Sequence, residues 1–417
     1  MEPTKLYLFL SITNRSIGGS YIYMANKLRY YSKKGWDTQL IHYNKTVYGD
    51  SIPELKKYDD NYDERLSFTP IMYSSKKCKR IIKSLVSRFG LDSYNETVIE
   101  TSEINMAYWG ELLAQYLHAK HFVLLLGESV HITSISMFDF FNFKLKRHEL
   151  AGITVKTIPR LFNGWPAEEN LGNLGLSAYC SNCIDNIPNN YLKDIPDNVD
   201  YIIGLIGRVS KPFFWVALDD LVNYFKIHSK SSFFLVIIGG VHLDYCKKRI
   251  DKMFSSLSNA DYLMTGPIYP VPLDLLKIPK AFVSSAGSCS VSAKIGKPTI
   301  SYDGLDLKPI GIFQITASHA LFRSESEPVV ELYTLLDSIL IKKEVSEYET
   351  NFSLEKENDI DFSDHEAFLQ LSSENKEYFD VMNSLQATKK EKVIRLFNKL
   401  FRRSITQNLL RLYHSIS

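Results

Sequence analysis

The chain has 417 residues, 45% hydrophobic, 13% aromatic and 23% charged. At about 100–200 residues per domain there is room for two domains or three, and the apolar fraction excludes wholesale disorder. The 49 Lys and Arg against 47 Asp and Glu leave a net charge of +2, which argues against a surface built for nucleic acid. Five cysteines are too few for a disulfide scaffold and point to a reducing compartment. Cys180 and Cys183 form one CxxC pair. They read as small half-buried thiols, since no second pair or histidines follow at metal-ligand spacing. No apolar run approaches the roughly 20 residues that span a bilayer. The apolar start, 5–12, lacks the longer core and cleavage site of a secretion signal. The expectation is a cytoplasmic protein.

Short apolar runs alternate with helical patterns. A strand over 6–12 ends in the turn around Gly18 and Gly19. A helix follows over 20–34, closed by Gly35, then a strand over 38–42. Residues 47–80, rich in Tyr, Lys, Asp and Ser, read as an irregular excursion. Strands over 97–100 and 122–126 flank a helix over 104–118, and 153–158 and 176–179 are weaker strand candidates. Residues 184–198 hold two prolines and four asparagines and make the best boundary. A second alternation follows. It has strands at 201–206, 232–238, 262–264, 281–284 and 299–302, helices at 213–228 and 242–257, and a helical turn at 273–276. Residues 344–380 carry twelve acids and two lysines and read as a solvated segment with a short helix. Residues 388–414 reverse the sign, with eight bases against Glu391. Val393, Leu396, Phe397, Leu400 and Phe401 there fall at the spacing of an amphipathic helix. Such a helix suits either an anionic membrane surface or the protein's own flank.

The expected fold is therefore α/β, with two doubly wound Rossmann-like domains facing a central cleft and a C-terminal amphipathic helix. The domains are 1–190, 191–343 and the 344–417 tail. Ligands of such sheets sit at the carboxyl ends of strands. Three turns there have the chemistry of an anion site. The first holds Gly18 and Gly19 before a helix, where backbone N–H groups face an incoming phosphate. It lacks the third glycine of a dinucleotide fingerprint. The second holds Gly207, Arg208 and Lys211, a guanidinium and an ammonium able to clamp a diphosphate. The third, 284–293, is made almost wholly of Ser, Ala and Gly, including Gly287, Ser288 and Ser290.

The order Gly207-Arg208, Thr265-Gly266-Pro267-Ile268, Gly296-Lys297-Pro298-Thr299-Ile300, with Gly18-Gly19 in the first half, resembles the GT-B glycosyltransferases, nearest to bacterial surface-polysaccharide transferases. The resemblance covers most of residues 1–320. It implies transfer of a sugar from a nucleotide-diphosphate donor to a glycan or lipid-linked glycan, in the cytoplasm and peripherally on the inner membrane face. It implies no obligatory metal or other cofactor and no nucleic-acid partner. The pair of glutamates that many retaining members carry before the Gly-x-Pro segment is missing. Their contacts would fall to Ser288, Ser290 or Asp303. An inactive binding protein and a nucleotide-sugar epimerase of the same build are the alternatives.

Expulsion of a diphosphate needs neutralising charge, for which Arg208 and Lys211 stand out. An inverting transfer also needs a general base. Glu128, just past the strand over 122–126, is the first candidate. Glu103, His131 and His42 are weaker ones. Tyr269 and Pro270 are placed to flank a nucleobase. The acid pair Asp359 and Asp361 lies in the acidic tail and reads as solvated rather than metal-binding.

Overall fold

A computed structural model describes residues 4–13, 17–44, 52–127, 130–166, 174–239, 244–324, 326–354, 360–372, 377–387 and 389–400. Strands β1 (Lys5–Ser11), β2 (Asp37–His42), β3 (Glu96–Thr101), β4 (Lys120–Leu125) and β5 (Leu150–Gly152) form a five-stranded parallel sheet ordered β2-β1-β3-β4-β5. Helices α1 (Gly19–Lys33), α2 (Ser75–Phe89), α3 (Ile104–Leu117) and α4 (Ile135–Lys146) connect its strands, and α5 (Thr157–Leu161) follows it. A two-residue strand β6 (Ile184–Asp185) lies between the sheets. The second sheet is built from β7 (Tyr201–Ile206), β8 (Phe233–Ile238) and β9 (Ala260–Met264). After β10 (Val271–Pro272), which pairs with β6, come β11 (Ala281–Ser284), β12 (Thr299–Tyr302) and β13 (Pro309–Ile312). Its order is β13-β12-β11-β7-β8-β9, and only β13 runs antiparallel. Helices α6 (Pro212–Ile227), α7 (Asp244–Phe254), α8 (Leu273–Lys277), α9 (Cys289–Ala293) and α10 (Leu332–Leu340) accompany it.

Strands covered on both faces read as continuous apolar runs, because successive side chains point to opposite sides. In β1, Leu6, Leu8 and Leu10 enter one core while Tyr7 and Phe9 enter another. In β8, Phe233, Leu235 and Ile237 face one side and Phe234, Val236 and Ile238 the other. Each such side chain contributes about 1.5–3 kcal/mol on burial. The strand orders have a second consequence. β1 lies between β2 and β3, and β7 between β8 and β11, so each sheet reverses its winding there. The crevice of a doubly wound sheet opens at that reversal. The turns after β1 and β7 are those of Gly18 and Arg208.

Several expectations are corrected. The excursion at 47–80 ends in a regular helix, α2, whose Cys78, Ile81, Ile82, Leu85 and Val86 face the core. Helices α4 and α10 and strand β13 carry no counterpart in the expectations above. The strand expected at 153–158 lies earlier, as the three residues of β5, and α5 begins at Thr157. Residues 176–179 form no strand. They continue an extended connection whose Leu176 N–H donates to the Gly152 carbonyl.

The acidic tail is not solvated throughout. Residues 344–354 first follow the second sheet, where the Tyr348 N–H donates to Gly296. Gly296 has φ +78 and a Cβ there would meet the Tyr348 carbonyl at 1.9 Å, so the close approach requires glycine. By residue 360 the chain has returned to the first sheet. Phe362 is fully buried against Tyr23, Tyr30 and Tyr179, with Phe368 and Leu369 beside it. The His365 Nε2–H donates to the Ser177 carbonyl at 2.8 Å, while its Nδ1 accepts from the buried Lys27 ammonium at 2.8 Å. Lys27 is neutralised by Glu100 at 2.8 Å, and the Tyr7 and Tyr23 hydroxyls donate to the same carboxylate. Four apolar or aromatic positions within an acidic composition thus anchor the tail.

The terminal helix runs over Lys389–Leu400. It packs on the turn Pro70–Met72, and its buried residue, Ile394, joins the core that also holds Cys78 and Ile81, whereas Val393 and Leu396 are exposed. Residues 401–417 lie outside the described residues. No helix among the described residues is long and apolar enough to cross a membrane.

Candidate functional site

The carboxyl ends of both sheets border one cleft of about 240 Å³. The first lobe contributes the turn Ile17, Gly18 and Gly19 with the start of α1, plus Leu126 and Ile153 past β4 and β5. The second contributes Gly207, Arg208 and Lys211 past β7, Gly239 past β8, Pro267 and Ile268 past β9, and Ser285 to Ser288 past β11. A connecting segment with Cys180 and Asn182 forms its floor.

Close backbone approaches build this edge. A Cβ on Gly239 would stand 1.8 Å from the Gly207 carbonyl oxygen, so the turns after β7 and β8 are pressed together. Across the cleft, the Arg208 guanidinium lies against Gly18, where a Cβ would come within 3.2 Å of Nη1. Cys180 is wedged between Gly19 and Gly287: a Cβ on Gly287 would stand 2.7 Å from its Sγ. The Ser181 hydroxyl donates to the Gly287 carbonyl at 2.9 Å and the Asn182 amide to the Ile268 carbonyl at 2.8 Å, which ties the floor to the second lobe.

Two long helices begin at the cleft. The N–H groups of Tyr21 and Ile22 bond back to the Gly18 carbonyl, leaving the first N–H groups of α1 at the opening. Lys211 is the N-cap residue of α6 and Pro212 its first residue. Two helix N-termini, a guanidinium and an ammonium make an electropositive edge. No carboxylate is among the described residues lining it. Ile17, Ile22, Ile206, Ile238, Ile268, Val271 and Val291 supply apolar walls.

The structure thus brings together Gly18, Gly19, Arg208, Lys211, Gly287 and Ser288. Gly266, Ser290 and Asp303 do not line the cleft, although their neighbours Pro267, Val291 and Gly304 do. The Asp303 carboxylate accepts from the N–H groups of Leu305 at 2.6 Å, Asp306 at 3.1 Å and Arg323, so it organises its own loop. Ser284 and Ser285 are likewise spent on the Ile206 and Tyr302 carbonyls. Tyr269 does not line the cleft; it packs on the first lobe beside Arg29 of α1. Cys180 and Asn182 were missed as lining residues, since no local pattern marks a crossing segment as a floor.

Glu128 lies outside the described residues. His131 is exposed, its Nδ1 at 3.2 Å from the Arg160 carbonyl, and His42 is buried with Nδ1 at 3.2 Å from the Asn44 carbonyl. Glu103 stands just past β3, at the carboxyl edge of the first sheet and at the start of α3, but it does not line the cleft. Its Oε2 is buried without a hydrogen-bond partner among the described residues, and burial pushes the carboxyl up to about 7.

Among solved structures, a glycosyltransferase from Rickettsia africae ESF-5 superposes with a TM-score of 0.52 over 99% of this chain and 98% of that one, at 13% identity. The chain has the GT-B fold. Looser GT-B likenesses include the UDP-GlcNAc 2-epimerase from Neisseria meningitidis bound to UDP-GlcNAc, with TM-score 0.44, 12% identity, and 88% and 100% of the two chains covered. Another is UDP-N-acetylglucosamine 2-epimerase from Rickettsia bellii, with TM-score 0.45, 11% identity, and 89% and 96% covered. No protein-family profile matches this GT-B chain, and no curated protein matches it.

Proposed function

We propose that the protein is a glycosyltransferase that takes a sugar from a nucleoside-diphosphate donor and passes it to a glycan or lipid-linked glycan. The observation that carries this reading is the Arg208 guanidinium seated over the Gly18 turn, at the winding reversal of both sheets. Departure of the nucleoside diphosphate leaves growing negative charge on its outer phosphate. Arg208, Lys211 and the amino ends of α1 and α6 neutralise that charge where it develops. Ser288 donates from the second lobe. The apolar walls hold the nucleoside and exclude water. The tail helix is read as a peripheral contact on the cytoplasmic face of a membrane.

Calorimetry with a panel of nucleoside diphosphates tests the site. A charge-assisted hydrogen bond is worth about 1.5–3 kcal/mol, so Arg208→Ala should weaken the preferred diphosphate about tenfold to hundredfold. Equal binding by variant and wild type would remove the site. Donor turnover then separates the chemistries. Sugar transfer requiring an acceptor supports the proposal, and conversion of the donor alone identifies an epimerase.

A further inference from the structure

The two lobes also touch beside the cleft, at residues that do not line it. Helix α5 begins shortly past Ile153, a cleft-lining residue of the first lobe. Its Ile158 and Leu161 are buried in that lobe's core, and the Ile132 N–H donates to the Leu161 carbonyl at 3.1 Å, so the helix is fixed there. Its outer residues reach the second lobe. The Lys156 ammonium donates to the Phe322 carbonyl at 2.8 Å. The Arg160 guanidinium lies over the Phe322 ring, 3.7 Å from its centre. Arg160 Nη1 is buried with no hydrogen-bond partner among the described residues, so the ring face stands in for one. Phe322 is itself buried and holds φ +60, which a bulky residue adopts only when its surroundings force it.

The gripped loop is bonded to the cleft wall. Two residues before Phe322, the Ala320 carbonyl accepts the Ala286 N–H at 2.8 Å and the Ser301 hydroxyl at 3.0 Å. One residue after it, the Arg323 N–H donates to Asp303, the neighbour of the cleft-lining Gly304. Ala286 precedes Gly287 and Ser288 in the cleft-lining turn and has φ +51, a conformation that costs any residue with a Cβ and needs outside support. We infer that Lys156 and Arg160 are positioning residues: by gripping Phe322 they hold Ala320 against Ala286 and so fix the turn 285–288 of the opposite lobe. The first lobe thereby shapes the second lobe's half of the site without touching a ligand. This rests on the proposed transfer only for what the turn holds, the outer phosphate of a nucleoside diphosphate.

Amide hydrogen exchange of the full chain without ligand tests the grip. Lys156→Met with Arg160→Met keeps apolar stems and removes both charges; each position is part exposed, so the fold should survive. The Ala286 N–H should then exchange about tenfold to a hundredfold faster, the change expected when a charge-assisted hydrogen bond is lost. The Phe282 N–H, bonded to the Pro298 carbonyl at 2.8 Å in the same lobe, should keep its rate. Arg160→Lys alone should exchange more slowly at Ala286 than Arg160→Met alone, because a cation stays over the ring. Calorimetry should show the double variant binding nucleoside diphosphate more weakly than wild type. An unchanged Ala286 rate overturns the inference. So does equal acceleration at Ala286 and Phe282, which would mark a general loosening of the lobe, and so does full diphosphate affinity with Ala286 loosened. A wild type that binds no nucleoside diphosphate would defeat the proposed transfer, while the exchange rates would still decide the grip.

Discussion

Replacing Glu103 by Gln isolates the charge at the mouth of β3. Its carboxyl titrates at about 7 in the folded chain against an ordinary 4.5. At 1.36 kcal/mol per pH unit, that difference is a folding penalty on the order of 3 kcal/mol for the ionised form. Below pH ~4.5 both states are protonated and the penalty is absent. It grows as the unfolded chain ionises first and is complete above pH ~7. Gln cannot ionise. The stability difference between variant and wild type should thus move by about 3 kcal/mol in favour of Gln between pH ~4.5 and pH ~8.5. Any constant offset from burying the amide cancels in that comparison. Guanidinium unfolding at a series of pH values measures it. A difference that stays level across the range would refute the assignment of a carboxyl raised by burial. Diphosphate affinity should stay unchanged in this variant, because Glu103 does not line the cleft.

Other perturbations follow from the same contacts. Gly239→Ala places a Cβ against the Gly207 carbonyl oxygen and should force the two turns apart; calorimetry should show loss of diphosphate binding with the far-ultraviolet spectrum kept. Phe362→Ala empties a fully buried aromatic site and should cost about 3–5 kcal/mol in denaturant unfolding. Burial and the neighbouring Lys27 ammonium hold the His365 ring down at about 2, so the folded chain keeps it neutral while the unfolded chain takes a proton below pH ~6.5. Its contribution is full above that pH and falls by about 1.4 kcal/mol per unit on acidification. The His365→Gln variant should show a shallower acid loss in unfolding at pH ~7, ~6 and ~5.

Continuous apolar runs such as those of β1 and β8 made the two sheets legible, because a strand covered on both faces has no polar side to confuse it. The turns at Gly18, Arg208 and Gly287 were legible for a related reason: close backbone approach tolerates little besides glycine. Helix α2 left a signal in the spacing of Cys78, Ile81, Ile82 and Leu85, but it was submerged in a lysine- and tyrosine-rich stretch. The anchoring of the tail was invisible locally. Phe362, His365 and Phe368 become core residues only when α1 supplies Tyr23, Tyr30 and Lys27. Asp303 shows the limit at the site itself. A carboxylate beyond a strand can as well bind its own loop as a ligand, and only the positions of three N–H groups decide.

Because the tail recrosses to the first lobe, the lobes share two covalent spans, one through residues 174–200 and one between residues 354 and 360. A single tether would permit swivelling in any direction. Two tethers confine opening and closing to rotation about the line joining them. A chimaera that exchanges the second lobe must therefore splice twice, and must keep 360–400 with the half into which Phe362 is plugged.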